Sequence, residues 1–185
     1  PRECLHLLDD EEERANTAGY GLIDPDYLYR SGDDVVTLYA EEAIENKKNH
    51  FFEIPVPESY FTGRSRKREI HVALAYTPPV RSTRIRYKAS RISFNLVKNG
   101  SLSEVMAYFN GKPADEIENM PEFGAPSRTF GKKLRSRGTL QKSSWVLKRP
   151  GHGQKFFLVV TRNDETWARG ITEERESYSL AILLT

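Results

Sequence analysis

The sequence predicts a mainly β protein: an antiparallel β-sandwich, jelly-roll-like, with one short helix and a long loop. Three observations carry this expectation. Seven segments rich in β-branched and aromatic residues recur along the chain, each bounded by Gly, Pro, Asn or Asp. They do not alternate with long helical patterns, which argues against a parallel α/β sheet. The prolines also fall where a sheet tolerates them, because proline cannot donate a ladder hydrogen bond.

Residues 1–33 stand apart. An acidic stretch, LLDDEEER, leads into the turn-rich string AGYGLIDPDYLYRSGDD, which carries too few apolar residues to fold alone. From Val35 the period becomes two, beginning with VVTLYAE. HFFEIPVP follows, and its Pro55 and Pro57 suit an edge strand or a strand end. In EIHVALAY, Ile70, Val72, Leu74 and Tyr76 share one face, so that strand should bury one side. Pro78 and Pro79 stop it and fix an extended exit. YKASRISFNLV comes next, with Ile92, Phe94 and Leu96 set against Arg91, Ser93 and Asn95.

The short helix is announced by SLSE. Ser101 can cap it, Glu104 can reach back, and Leu102, Val105, Met106 and Phe109 form one apolar stripe, so the helix should lie on the sandwich or cross one end. Residues 110–138 have no clear period and read as the long loop, a kind of segment that is usually functional or partly disordered. TLQKSSWVLK, KFFLVVTR and SYSLAILLT supply the last three strands. Between the first two of these, Gly151, His152 and Gly153 read as a hairpin turn rather than a phosphate loop, since no helix follows. No internal repeat is present.

Composition narrows the function. The 185 residues suit one domain, or one domain with a fragment of another. No run reaches the roughly 18 apolar residues of a membrane span, so no membrane partner is expected. With 28 basic and 26 acidic residues the net charge is +2, and nucleic acid is not implied by bulk charge. Cys4 is the single cysteine, which excludes an internal disulfide. The acidic start lacks the basic and apolar regions of a signal peptide, and a cytoplasmic location is expected.

Chemistry is hard to nominate. His6, His50, His71 and His152 lack the short spacings of a zinc site, so neither metal nor cofactor is expected and structural roles are favoured. There is no G-x-S-x-G elbow. Asp24, Asp26, Asp33 and Asp34 do not match a calcium loop. The remaining signal is cationic. Arg81, Arg84, Arg86, Lys88 and Arg91 cluster between two strands, beside further clusters at Arg64, Arg66, Lys67 and Arg68 and at Lys132, Lys133, Arg135 and Arg137. If they converge on one face they could engage an acidic partner or nucleic acid; otherwise, and this is the favoured reading, they solvate loops and blunt sheet edges.

One stretch adds a resemblance. Gly19, Tyr20, Gly21, Leu22, Ile23 and Asp24 resemble the G-x-G-hydrophobic-hydrophobic-Asn/Asp segment that closes the catalytic domain of subtilisin-like (S8) serine peptidases, where the glycines allow a tight turn. VVTLYAEEAI, FFEIPVPESYF, VALAYTPPVRSTRIRYKASRISFNL and GTLQKSSW are similar to the C-terminal region behind that domain in a bacterial subset of the family. The resemblance implies that residues 1–33 are the tail of a catalytic domain and 34–185 an accessory sandwich that stabilises the protease, positions a substrate or recruits a partner. It also implies, as partners, the upstream catalytic domain of the same polypeptide and a protein or peptide substrate. The family's Asp, His and Ser motifs are absent, so no catalytic residue is assigned; Ser31 lies beyond the exit motif and reads as a turn residue. The rival expectation is a free-standing binding module for an acidic protein, glycan or nucleic acid, with Trp145 and Trp167 as candidate glycan-stacking aromatics.

Overall fold

A computed structural model describes residues 35–62, 68–85, 87–112, 138–147, 153 and 155–185. The chain divides at Ser31 and Gly32, and every described residue belongs to the second unit, Gly32–Thr185. The expected tail of 1–33, with Gly19, Gly21, Asp24 and Ser31, lies outside the described residues, as do most of the long loop and the clusters at 64–67 and 132–137.

The described fold is mainly β, as the sequence predicts. Its strands are β1 (Val36–Glu45), β2 (Asn49–Ile54), β3 (Glu69–Tyr76), β4 (Ser90–Asn99), β5 (Leu140–Val146), β6 (Lys155–Asp164) and β7 (Arg175–Leu184). Two helices, α1 (Ser59–Thr62) and α2 (Leu102–Asn110), and a 3-10 turn at Thr166–Ala168 complete it. One sheet has the order β1-β7-β3-β5 and the other β2-β6-β4, with every pairing antiparallel. Odd-numbered strands therefore build one sheet and even-numbered strands the other, so each strand-to-strand connection changes sheets.

That alternation corrects the reading of residues 151–153 as a hairpin turn. β5 pairs with β3 and β6 with β2 and β4, so the link between β5 and β6 crosses between sheets. Gly153 does adopt a positive φ of 71°, a turn conformation that favours glycine.

Period-two burial makes the core. Ile70, Val72, Leu74 and Tyr76 of β3 meet Ile92, Phe94 and Leu96 of β4 from the opposite sheet, with Phe156, Leu158 and Val160 of β6 beside them. Trp145 is 1% exposed and packs edge-on against Phe94 with centroids 6.1 Å apart. β2 is an edge strand that stops at Ile54, immediately before Pro55.

The outer face of the three-stranded sheet is covered by α2. Ser101 caps it, accepting a hydrogen bond from the Glu104 backbone N–H at 3.3 Å. Val105 and Phe109 are buried against Phe51, Val97, Phe157 and Val159. Leu102 and Met106, the other half of the expected stripe, face solvent, because a helix laid flat on a sheet buries a narrow seam.

Candidate functional site

The link from β3 to β4 is a small hairpin. The exposed Val80 forms an antiparallel bridge with Lys88, and the Ala89 N–H donates to the Pro79 carbonyl at 2.8 Å. Further out, the Arg81 N–H reaches the Tyr87 carbonyl at 2.6 Å, and the Arg84 N–H closes the turn on the Arg81 carbonyl at 3.1 Å. Pro78 is buried and roots the hairpin in the sandwich. The tip is unsupported by the fold: Ile85 is 102% exposed and Tyr87 51%, beside exposed Arg81 and Arg84.

The basic positions of this segment thus divide. Arg81 and Arg84 share the tip. Lys88 is buried at the root, and half-buried Arg91 pairs with Glu165 at 3.4 Å. Arg86 lies outside the described residues. The cations within reach of a partner are accompanied by apolar side chains.

Next to the hairpin root, sharing Thr77 and Pro79, is a cleft of about 740 Å³. It lies where β3 ends and β7 continues, and its walls carry Glu41 and Glu42 of β1, Glu173 and Glu176 from β7 and its lead-in, and the rings of Tyr76 and Tyr178. Its described lining contains four carboxylates and no cation.

Beneath it, Arg162 is fully buried on β6. Its Nε and Nη2 grip the two oxygens of Asp164 at 2.8 and 2.9 Å. Nη1 donates to the carbonyls of Ile44 and Glu174, and Nη2 also to that of Glu173. One guanidinium therefore ties the end of β1 to the start of β7.

Burial sets the charge states here. It raises the Glu176 carboxyl above its ordinary value, against the opposing pull of the Ser90 hydroxyl and the Arg162 charge. Burial likewise raises the Tyr76 and Tyr178 phenols, the latter with help from the Glu42 charge. His50 Nδ1 lies 2.8 Å from the Tyr178 hydroxyl, and desolvation by burial lowers the imidazole pKa from its ordinary value.

A serine, an imidazole and a carboxylate also come together on the outer face of the four-stranded sheet. His71 Nδ1 is 2.8 Å from Ser144 Oγ, and His71 Nε2 is 3.4 Å from Glu69. His71 and Ser144 are opposite partners in β3 and β5, and Glu69 is two residues away on the same face. Acyl transfer needs a nucleophile open to a carbonyl and an oxyanion site beside it. Ser144, in mid-strand and 7% exposed, instead joins a cross-strand polar contact.

A second cavity of about 430 Å³ lies by the end of α2, with Lys47, Lys48 and Lys112 around Asn49 and Asn110. Among the described residues no group of three or more His, Cys, Asp or Glu is placed to hold a metal, and no helix is long and apolar enough to cross a membrane. Trp145 is buried in the core, which removes it as a glycan platform. Cys4, His6 and His152 lie outside the described residues.

Sequence reasoning missed the acidic cleft, because its carboxylates come from segments some 130 residues apart, Glu41 to Glu176. A signal was present nonetheless. Glu176 stands in phase with Tyr178, Leu180, Ile182 and Leu184, and Arg162 in phase with Phe156, Leu158 and Val160, so both charges occupy the apolar phase of their strands.

No protein-family model matches the chain. It is 32% identical over 189 residues to the uncharacterized protein y4bN of Sinorhizobium fredii, an alignment that takes in 98% of this chain and 42% of that protein. The chain thus spans less than half the length of that curated relative.

Proposed function

We propose that this chain is a non-catalytic C-terminal accessory domain of a subtilisin-like serine peptidase, serving to contact a substrate or partner. The carrying observation is the segment Gly19-Tyr20-Gly21-Leu22-Ile23-Asp24 directly ahead of a β-rich region. A relative more than twice as long as the matched region supports the reading, since an accessory domain is expected inside a larger chain. Hydrolysis would belong to the upstream catalytic domain, through an acyl-enzyme and without a cofactor. A cytoplasmic location is part of the proposal and rests on the single Cys4.

The contact element in this reading is the β3–β4 hairpin. An isoleucine held fully in water beside two arginines costs solvation without helping the fold, which is the composition of a surface meant to be covered. It suits an apolar recess rimmed by carboxylates on a protein partner. The experiment expresses the longer gene product, labels it with a fluorophosphonate serine-hydrolase probe and maps the labelled peptide. The label is expected on a serine upstream of Pro1. Labelling at Ser144, or none in a product that folds, would remove the peptidase reading. In the same protein, R81A/R84A/I85S is expected to lower cleavage of a protein substrate while sparing a short chromogenic peptide.

The second reading is a stand-alone binding module, favoured by the same hairpin tip. It predicts partner capture by the 185-residue chain with no peptidase attached.

A further inference from the structure

We propose that the cleft beyond the end of β3 binds an organic cation, an amine or guanidinium group that donates hydrogen bonds to the Glu176 carboxylate. The inference is independent of the peptidase reading. It rests first on Glu176 itself, which is 6% exposed and whose carboxylate oxygens receive no well-formed hydrogen bond, the Ser90 hydroxyl being the donor beside them. Arg162 stands 3.5 Å away, but all five of its N–H groups are directed elsewhere: two to Asp164 and three to the carbonyls of Ile44, Glu173 and Glu174. The Arg162 charge is already matched by Asp164, which leaves Glu176 as the surplus anion of the buried cluster.

Leaving a buried carboxylate short of well-formed donors is costly, and such a group binds whatever donor can reach it. Tyr76 adds a second such group. Its hydroxyl is buried and makes no well-formed hydrogen bond, with the Ile92 backbone beside it, and the residue lines the same cleft. Glu41, Glu42 and Glu173 surround the opening, so the field favours positive charge on the way in as well as at the bottom. At about 740 Å³ the cleft falls within the usual size of small-molecule sites and would hold a polyamine or a two-residue basic segment. The two sources share one chemistry, a chain carrying separated N–H donors of positive charge.

The test titrates the full chain at low ionic strength, by calorimetry and amide NMR, with spermidine in one arm and a blocked diarginine peptide in the other. Saturable one-to-one binding is expected in at least one arm, with shifts confined to 41–43, 76–79 and 173–179. The arm that binds identifies the source, small amine or basic segment. E176Q should weaken binding roughly tenfold or more, the effect of losing one charge-assisted hydrogen bond. Should E176Q fail to fold, E41Q/E42Q on the exposed wall decides, with an expected loss of several-fold, together with Y76F. E104Q on α2 should bind as the unaltered chain does. Absence of saturable binding in both arms, or equal loss in E104Q and the cleft variants, would overturn the assignment.

Discussion

Arg162 shows what a single side chain contributes here. Three carbonyls and a carboxylate take hydrogen bonds from its guanidinium, which is itself fully buried. R162A should therefore cost about 3–5 kcal/mol, the usual penalty for breaking a buried ion pair from one side, read as a fall in urea midpoint. Replacing a charge by a shape-matched Met should cost less than the truncation. Two titrations should bear on stability in opposite senses. The Glu176 carboxyl is raised in the folded state, so its contribution is full below the unfolded value of 4.5 and is lost as pH rises through the folded value. E176Q should abolish that loss. The His50 imidazole is lowered, so the unfolded chain binds its proton more readily; stability should decline as pH falls from about 6.5 through the folded value, and H50Q should flatten that limb. Urea midpoints across pH 3.5–8 check both signs.

At the scale of elements, local chemistry and tertiary contact divide the work. S101A removes the hydroxyl that holds the Glu104 N–H and should cost about 1 kcal/mol. F109A empties a site packed against Phe51 at 6.3 Å and should cost about 3–5 kcal/mol, measured by the same denaturation. The hairpin tip should behave in the reverse way: I85S and R81A touch nothing in the core and should leave stability within about 0.5 kcal/mol, while reducing partner contact. The elements themselves were legible because their signals are local. Alternation in EIHVALAY gave a strand whose buried face matches the expected residues, SLSE gave the helix start, and Pro55 and Pro78 mark strand ends. In RISFNL, Ile92, Phe94 and Leu96 are buried as expected, but Ser93 and Asn95 on the face expected to be wetter are buried too. The division of the apolar stripe of α2 was not legible, because Leu102 and Met106 have the same local pattern as Val105 and Phe109 and only the sheet beneath separates them.

For the whole molecule, the decisive fact is that consecutive strands never pair within the described sandwich. β1 pairs with β7, and β3 lies between β7 and β5, so ladder partners are distant in sequence. Spacing and turn residues report on neighbours in sequence, which is why a glycine-rich turn between β5 and β6 reads as a hairpin although it bridges two sheets. The acidic cleft was hidden for the same reason, since only the β1–β7 pairing brings Glu41 and Glu42 near Glu176. The functional reading likewise depends on what surrounds the sandwich: a domain with an unsupported hairpin tip and no exposed nucleophile of its own beside His71 is proposed to act through a larger peptidase. The most direct test is the size of the endogenous protein, by immunoblot against this chain in the cells that make it, with parallel labelling by a serine-hydrolase probe. The account predicts a labelled band far above 21.2 kDa. An unlabelled band at that mass would contradict it.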